Sequence, residues 1–304
     1  MTDFLKLSDL SPEELDDLLN LAAQLKDERR RGVPHPILSG KSLGMIFEKS
    51  STRTRVSFEA GIYQLGGQGM FLSSRDLQIG RGEPVEDTAR VLSRYLDGIM
   101  IRTFEQEKVE TLAKYATIPV INALTDYAHP CQVVADLLTI REYKGETQGK
   151  KLAFIGDGNN MANSLIVGGL LAGMEVSIAC PKGYEPAAQA VGFGLLPQYT
   201  GKLKITDSCI EAATDADVLY TDVWASMGQE DEAVKRQNDF KGYQINEKLM
   251  EVAKSDAMVL HCLPAHREEE ITAETFEKHA EEIFDEAENR LHAHKAIMVR
   301  LMAN

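Results

Sequence analysis

The 304-residue sequence is short of several things, and each shortage excludes a class of protein. It has four cysteines, Cys131, Cys180, Cys209 and Cys262, and no Cys-x-x-Cys pair. That excludes a disulfide-stapled miniprotein and points to reduced thiols in a cytosolic protein. Its longest apolar run, Leu165 to Met174, falls short of the roughly 20 residues that cross a bilayer. The first residues, Met1-Thr2-Asp3-Phe4-Leu5-Lys6, offer neither a basic n-region nor an apolar h-region, so no signal peptide is expected. Positive charge is in deficit, 33 Lys and Arg against 47 Asp and Glu for a net −14, which disfavours a nucleic-acid partner. Internal repeats and low-complexity tracts are missing, which removes solenoids and disordered chains.

What is present reads as an ordinary globular chain, with 43 % hydrophobic and 26 % charged residues. Its length suits two domains of roughly 100–200 residues. Charge is unevenly spread: residues 1–150 hold 19 basic against 22 acidic side chains, residues 151–304 hold 14 against 25. A richer supply of Arg in the first half and acid in the second suits an anion site and an amine site, although solvated helix faces give the same imbalance. Ser11-Pro12-Glu13-Glu14 forms a capping box with proline at the first helical position. Strands are predicted at Ser42–Phe47, Met70–Leu72, Gly98–Ile101 and Pro119–Ile121, with helices near 54–65, 84–96 and 105–115 and a longer one over Gln132–Tyr143. The pattern then restarts, with strands at Leu152–Ile155, Glu175–Ala179, Leu203–Thr206, Val218–Tyr220 and Met258–Leu260. A last helix is predicted from about Ala287. Such alternation means β-α-β units, hence two doubly wound parallel-sheet α/β domains in tandem. The polar stretch Lys144–Lys151 marks the boundary, giving domains 1–143 and 144–286. The long helix joins them, and the C-terminal helix 287–304 is expected to pack back on the first.

Ligands of doubly wound sheets bind beyond the carboxyl ends of the strands, so the strings there carry most weight. After the first strand comes Ser50-Ser51-Thr52-Arg53-Thr54-Arg55, hydroxyls and arginines at a helix start. Unpaired N–H groups and guanidinium forks suit a phosphate there, and the same string also serves as an N-cap with surface arginines. Arg102 follows the third strand, and His129-Pro130-Cys131-Gln132 opens the long helix, as ligand groups or as a cap. In the second domain, Gly156-Asp157-Gly158 follows the first strand, but Met161 stands where a dinucleotide fingerprint needs glycine. Cys180-Pro181 likewise replaces the ribose-binding acid, so NAD is not expected. Asp222-Val223-Trp224-Ala225-Ser226-Met227-Gly228 follows the fourth strand, with a carboxylate fit for an amine. His261-Cys262-Leu263-Pro264 ends the fifth, and Arg290 is placed near the start of the final helix.

Together these strings resemble the aspartate/ornithine carbamoyltransferase superfamily over essentially the whole chain, Phe4 to Met302. S-T-R-T-R at 51–55 and H-P-x-Q at 129–132 are superfamily marks. D-x-W-x-S-M-G at 222–228 and H-C-L-P at 261–264 look like its ornithine branch. Glu268 departs from the pattern, where many relatives are expected to have glycine. The resemblance implies transfer of a carbamoyl group from carbamoyl phosphate to L-ornithine, giving L-citrulline and phosphate, without metal or organic cofactor. It implies Ser51, Thr52, Arg53, Thr54 and Arg102 around the phosphate, and Thr54, Arg102, His129 and Arg290 around the carbamoyl oxygen. Pro130, Cys131 and Gln132, with the backbone at Cys262 and Leu263, complete that set. For ornithine it implies Asn160, Asp222, Ser226 and Met227, with Cys262 near the δ-amine as ligand or proton acceptor. Gln78 matches a loop that reaches a neighbouring subunit's site, so a homotrimer with shared sites is implied. A role in arginine biosynthesis is favoured over breakdown. The rivals are a carbamoyltransferase for another amine such as putrescine, a nucleotide-dependent oxidoreductase and an inactive scaffold.

Overall fold

A computed structural model gives the fold, and it describes residues 1–225 and 230–303. The chain divides into two compact units, Met1–Ala135 with Asn289–Asn304, and Asp136–Glu288.

The first unit opens with α1 (Pro12–Arg30), started by the capping box: Glu14 N donates to Ser11 Oγ at 3.1 Å, and Ser11 N to the Glu14 carboxylate at 3.0 Å. There follow β1 (Ser42–Phe47), α2 (Thr52–Gln64), β2 (Gln68–Ser73), α3 (Val85–Leu92), β3 (Gly98–Arg102), α4 (Gln106–Tyr115) and β4 (Val120–Leu124). The four strands are all parallel in the order β2-β1-β3-β4. β1, β3 and β4 are buried almost throughout, which is why they read as continuous apolar runs, while the edge strand β2 is partly exposed. The helix α5 (Pro130–Lys144) carries the chain out of this unit.

The second unit contains β5 (Lys151–Ile155), α6 (Asn160–Leu171), β6 (Glu175–Ala179), α7 (Ala188–Gly194), β7 (Leu203–Thr206), α8 (Cys209–Ala213) and β8 (Val218–Thr221). Then come α9 (Ala233–Asp239), α10 (Glu247–Val252), β9 (Met258–His261), α11 (Ala273–Lys278) and α12 (Ala280–Met302), whose last turns belong to the first unit. Its five strands are parallel in the order β7-β6-β5-β8-β9. The fold is therefore two parallel-sheet α/β domains in tandem. α6 is predominantly apolar and buried along nearly its whole length, so most of the longest apolar run of the sequence lies in a core helix. Among the described residues no helix is long and apolar enough to cross a membrane.

The final helix starts at Ala280, seven residues before the predicted Ala287. Its acidic first turn, with Glu281 and Glu282, suits the positive end of the helix dipole. Arg290 accordingly lies in the third turn and not near the helix start.

Candidate active site

In each sheet the strand order reverses once, between β1 and β3 and between β5 and β8. Loops leaving the carboxyl ends of those strands splay apart there and leave a crevice. Arg102 ends β3, and Phe47, its partner across the ladder, ends β1, so the loop after β1 and the Arg102 side chain start from the same edge. Ser51 caps α2: its Oγ accepts from Thr54 N at 3.2 Å, and its hydroxyl donates to Thr54 Oγ1 at 3.0 Å. Arg290 Nη2 donates to the same Thr54 oxygen at 2.8 Å, so the buried Thr54 fixes one guanidinium beside the helix start. Thr52 is exposed and Arg53 half-buried. The two arginines of the string part company, for Arg55 pairs with Glu59 and lies over the Phe71 ring at 3.7 Å.

His129 precedes α5, after a turn closed by Thr125, whose Oγ1 accepts from Ala128 N at 3.0 Å. The His129 imidazole is buried, and burial first, then the charge of Arg290, Arg102 and Arg53, holds its pKa well below the ordinary histidine range. A neutral imidazole among three guanidiniums can donate a hydrogen bond to a developing oxyanion while the arginines supply the charge. Gln132 lies buried in the first turn of α5 beside Pro130. Cys131 turns the other way: its thiol donates to Asn122 O in β4 at 3.3 Å, and burial pushes it up to about 12. Its side chain is core, and only its backbone is left to serve a ligand. Gln78 opens a short 3-10 turn over Gln78–Arg81, exposed.

In the second unit Asp222 follows β8, and its carboxylate accepts three hydrogen bonds. They come from Val223 N at 2.8 Å, Asn159 Nδ2 at 3.0 Å and the Cys262 thiol at 3.0 Å. Burial and the Asp222 charge push the Cys262 thiol well above its usual range. Cys262 is thus a neutral donor at rest, which fits a ligand role and not that of a proton acceptor. Asn159 caps α6 and orients Asp222, while Asn160 is the first, half-buried residue of that helix. Trp224 is buried against Phe240 with its indole N–H on Tyr243 O, a packing role. Ser226 and Met227 lie outside the described residues.

Two features escaped the sequence reading. Asp157 pairs with Arg236 at 2.7 Å, and the same guanidinium nitrogen donates to Trp224 O, tying the loop after β5 to the loop after β8. After β9, His261 Nδ1 accepts from Leu263 N at 2.9 Å, which places the ring proton on Nε2, 3.0 Å from Glu270 Oε1. This buried pair holds Leu263 in the left-handed region at φ +57°. Asp222, His261 and Cys262 bring one donor atom each within 4.8 Å, as do His266, Glu269 and Glu270, the two described groupings with metal-ligand chemistry. Both ring nitrogens of His261 are already engaged within the protein.

Comparison with known proteins finds two domain matches in chain order. Residues 2–142 match the carbamoyl-P binding domain of aspartate/ornithine carbamoyltransferases, and residues 148–301 match their Asp/Orn binding domain. Ornithine carbamoyltransferases from Anoxybacillus flavithermus and Methanocorpusculum labreanum are 58 % and 55 % identical, over 99 % of this chain and 96 % and 98 % of theirs. Among solved structures, ornithine carbamoyltransferase from Pyrococcus furiosus superposes with a TM-score of 0.94 at 48 % identity, over 99 % of this chain and 96 % of that one. An anabolic ornithine carbamoyltransferase from Campylobacter jejuni gives 0.92 at 46 % identity, over 99 % of both. Matched by both domain models in chain order and more than half identical to full-length relatives, the chain belongs to the aspartate/ornithine carbamoyltransferase family.

Proposed function

We propose that the chain transfers the carbamoyl group of carbamoyl phosphate to the δ-amino group of L-ornithine, releasing L-citrulline and phosphate. The observation that carries this reading is the start of α2, where Arg290 is bonded to the buried Thr54 next to Arg53, in a chain that is more than half identical to ornithine carbamoyltransferases along its length. Ser51, Thr52, Arg53, Thr54 and Arg102 bind the phosphate oxygens. Thr54, Arg102, His129 and Arg290 stabilise the negative charge that grows on the carbamoyl oxygen as the amine adds, and Gln132 holds the carbamoyl NH₂. Asn160, Asp222, Ser226 and Met227 bind ornithine's α-amino and carboxylate ends, with the Cys262 thiol near the δ-amine. The amine attacks neutral, the leaving phosphate takes up protons, and the rate comes from positioning and electrostatics.

A citrulline assay with ornithine, putrescine and aspartate as competing acceptors tests the reading. Product from ornithine alone supports it; preference for putrescine or aspartate, or no product, overturns it. The finer reading is a cytoplasmic homotrimer serving arginine biosynthesis, in which exposed Gln78 reaches the phosphate of an adjacent subunit. Arg53→Gly and Gln78→Glu chains, each inactive alone, should regain activity in about a quarter of sites when refolded together as random trimers. Verified hybrid trimers without activity would show that each site is built within one chain.

A further inference from the structure

The first turn of α2 carries Arg53 and Thr54, and something must hold that turn still. Ser57, one turn further on, has its hydroxyl oxygen 2.6 Å from Arg53 O, 3.2 Å from Thr54 O and 2.9 Å from His294 Nδ1. A hydroxyl has one hydrogen to give. The shortest contact marks its acceptor as the Arg53 carbonyl, so the contact with His294 is made with the imidazole as donor, Nδ1–H to Ser57 Oγ. The ring has little freedom to do otherwise. It is fully buried and lies flat on Phe58, with centroids 3.9 Å apart and planes 17° from parallel.

We propose that His294 is a positioning residue for the anion-binding turn: its imidazole holds the Ser57 hydroxyl on the Arg53 carbonyl, and so fixes the backbone on which the Arg53 side chain is mounted. This rests on the reading of Arg53 as a phosphate ligand. A serine bonded back to the carbonyl four residues earlier is a weak device alone, because the hydroxyl can rotate among acceptors. A second, buried donor on the serine oxygen removes that freedom. The same helix grips the turn once more, since Arg290, four residues before His294 on α12, donates to Thr54. Residues four apart on a helix share a face, as do Thr54 and Ser57 three apart on α2, so two adjacent points of one helix meet two adjacent points of the other. Burial and the nearby Arg290 keep the ring neutral by lowering its pKa well below the usual range, so its single proton is the one on Nδ1 that the serine oxygen accepts.

The test uses the full-length chain carrying His294→Leu, His294→Asn, Ser57→Ala, or His294→Leu with Ser57→Ala. Binding of inorganic phosphate is followed by calorimetry, alongside KM for each substrate, kcat and Tm. In His294→Leu, phosphate affinity and KM for carbamoyl phosphate should each weaken roughly tenfold, the worth of one indirect hydrogen bond. Its ornithine KM and kcat should stay within about twofold, since a hydrogen bond to a ground-state anchor acts on binding. His294→Asn, which returns an N–H near the position of Nδ1, should recover most of the loss. The double variant should bind no more weakly than His294→Leu, because both changes cut one chain of bonds. A His294→Leu protein that melts earlier yet binds phosphate as the parent does would overturn the proposal, as would an Asn variant no better than Leu. If His294→Leu does not fold, Ser57→Ala must by itself show the loss, and parental affinity there is equally fatal. A parent chain that neither binds phosphate nor forms citrulline would instead remove the reading of Arg53 on which the proposal stands.

Discussion

At the scale of single residues, the most telling group is the Cys262 thiol. A thiolate is the reactive form, and this thiol is held protonated by burial and by donating to Asp222 at 3.0 Å. Iodoacetamide should therefore alkylate Cys262 more slowly at pH 8 than it does a free thiol. Replacing Asp222 by Asn removes the charge that opposes ionisation, so alkylation should quicken several-fold in that variant; peptide mass spectrometry against time reads both. Equal rates in the two proteins would mean that the carboxylate has no hold on the sulfur. A second residue, Glu268, sits at φ +69°, a left-handed conformation that costs a side chain roughly 1 kcal/mol. Its carboxylate recovers part of that by accepting from Ala273 N at 2.8 Å. Glu268→Gly should consequently be more stable than Glu268→Ala by about 1 kcal/mol in urea unfolding, since both lose the hydrogen bond and only glycine escapes the strain. The same turn explains what the sequence hid. His261 closes an apolar strand, and Glu270 is the last of three consecutive glutamates. Which of the three turns inward is settled by the reversal at Glu268, and no periodicity in the sequence encodes it.

At the scale of elements, the buried parallel strands were readable because burial on both faces leaves a nearly continuous apolar run, as in Ser42–Phe47; the predicted bounds of that strand, of Glu175–Ala179 and of the half-buried edge strand Leu203–Thr206 are those of the fold. The strings at their ends were readable for the same reason, since strand ends are where a doubly wound sheet exposes groups to a ligand. Asn159 and Arg236 were not, because their importance lies in what they orient. The glycines after β5 show how a motif can mislead. A Cβ on Gly158 would come 2.3 Å from Pro186 N and 2.4 Å from Glu185 C and Tyr184 O. Close backbone packing, and not a pyrophosphate, is what demands glycine there. Rigid backbone cannot yield, so Gly158→Ala should push the loop that carries Asn159, whose side chain both caps α6 and holds Asp222. The expected result is a rise of at least tenfold in KM for ornithine with a loss of about 1–3 kcal/mol in stability. An alanine variant with parental ornithine KM would show that Asn159 does not depend on this packing.

At the scale of the whole molecule, the buried groups whose pKa values are shifted are mainly imidazoles in the first unit and carboxylates in the second, and acid should therefore act on the two differently. Three buried imidazoles, His129, His292 and His294, belong to the first unit. His292 is lowered to about 3 by burial and by Lys295 and Lys26, and the other two lie well below the ordinary value. An unfolded histidine titrates near ~6.5. Below that pH the unfolded chain takes up protons that the folded unit refuses, so stability is whole above about 6.5 and falls as the pH drops. The slope approaches about 1.4 kcal/mol per pH unit for each ring, or roughly 4 kcal/mol for the three by pH 5.5, a large share of a domain's stability. Asp9, raised by burial, returns a little of this to the first unit. In the second unit burial raises Asp157, against the pull of Arg236, and it raises Glu286. Carboxylates with raised pKa values are protonated in the folded state first, so as the pH falls through those values their desolvation penalty eases and the second unit gains. Hydrogen exchange of the full chain, corrected for the intrinsic rate, should show protection lost at pH 5.5 in α1, β1, β3 and β4 while β5 to β9 keep theirs. Protection in α1, β1, β3 and β4 that is unchanged at pH 5.5 would mean that the three imidazoles are not held neutral in the fold, and the neutral His129 would fall with them.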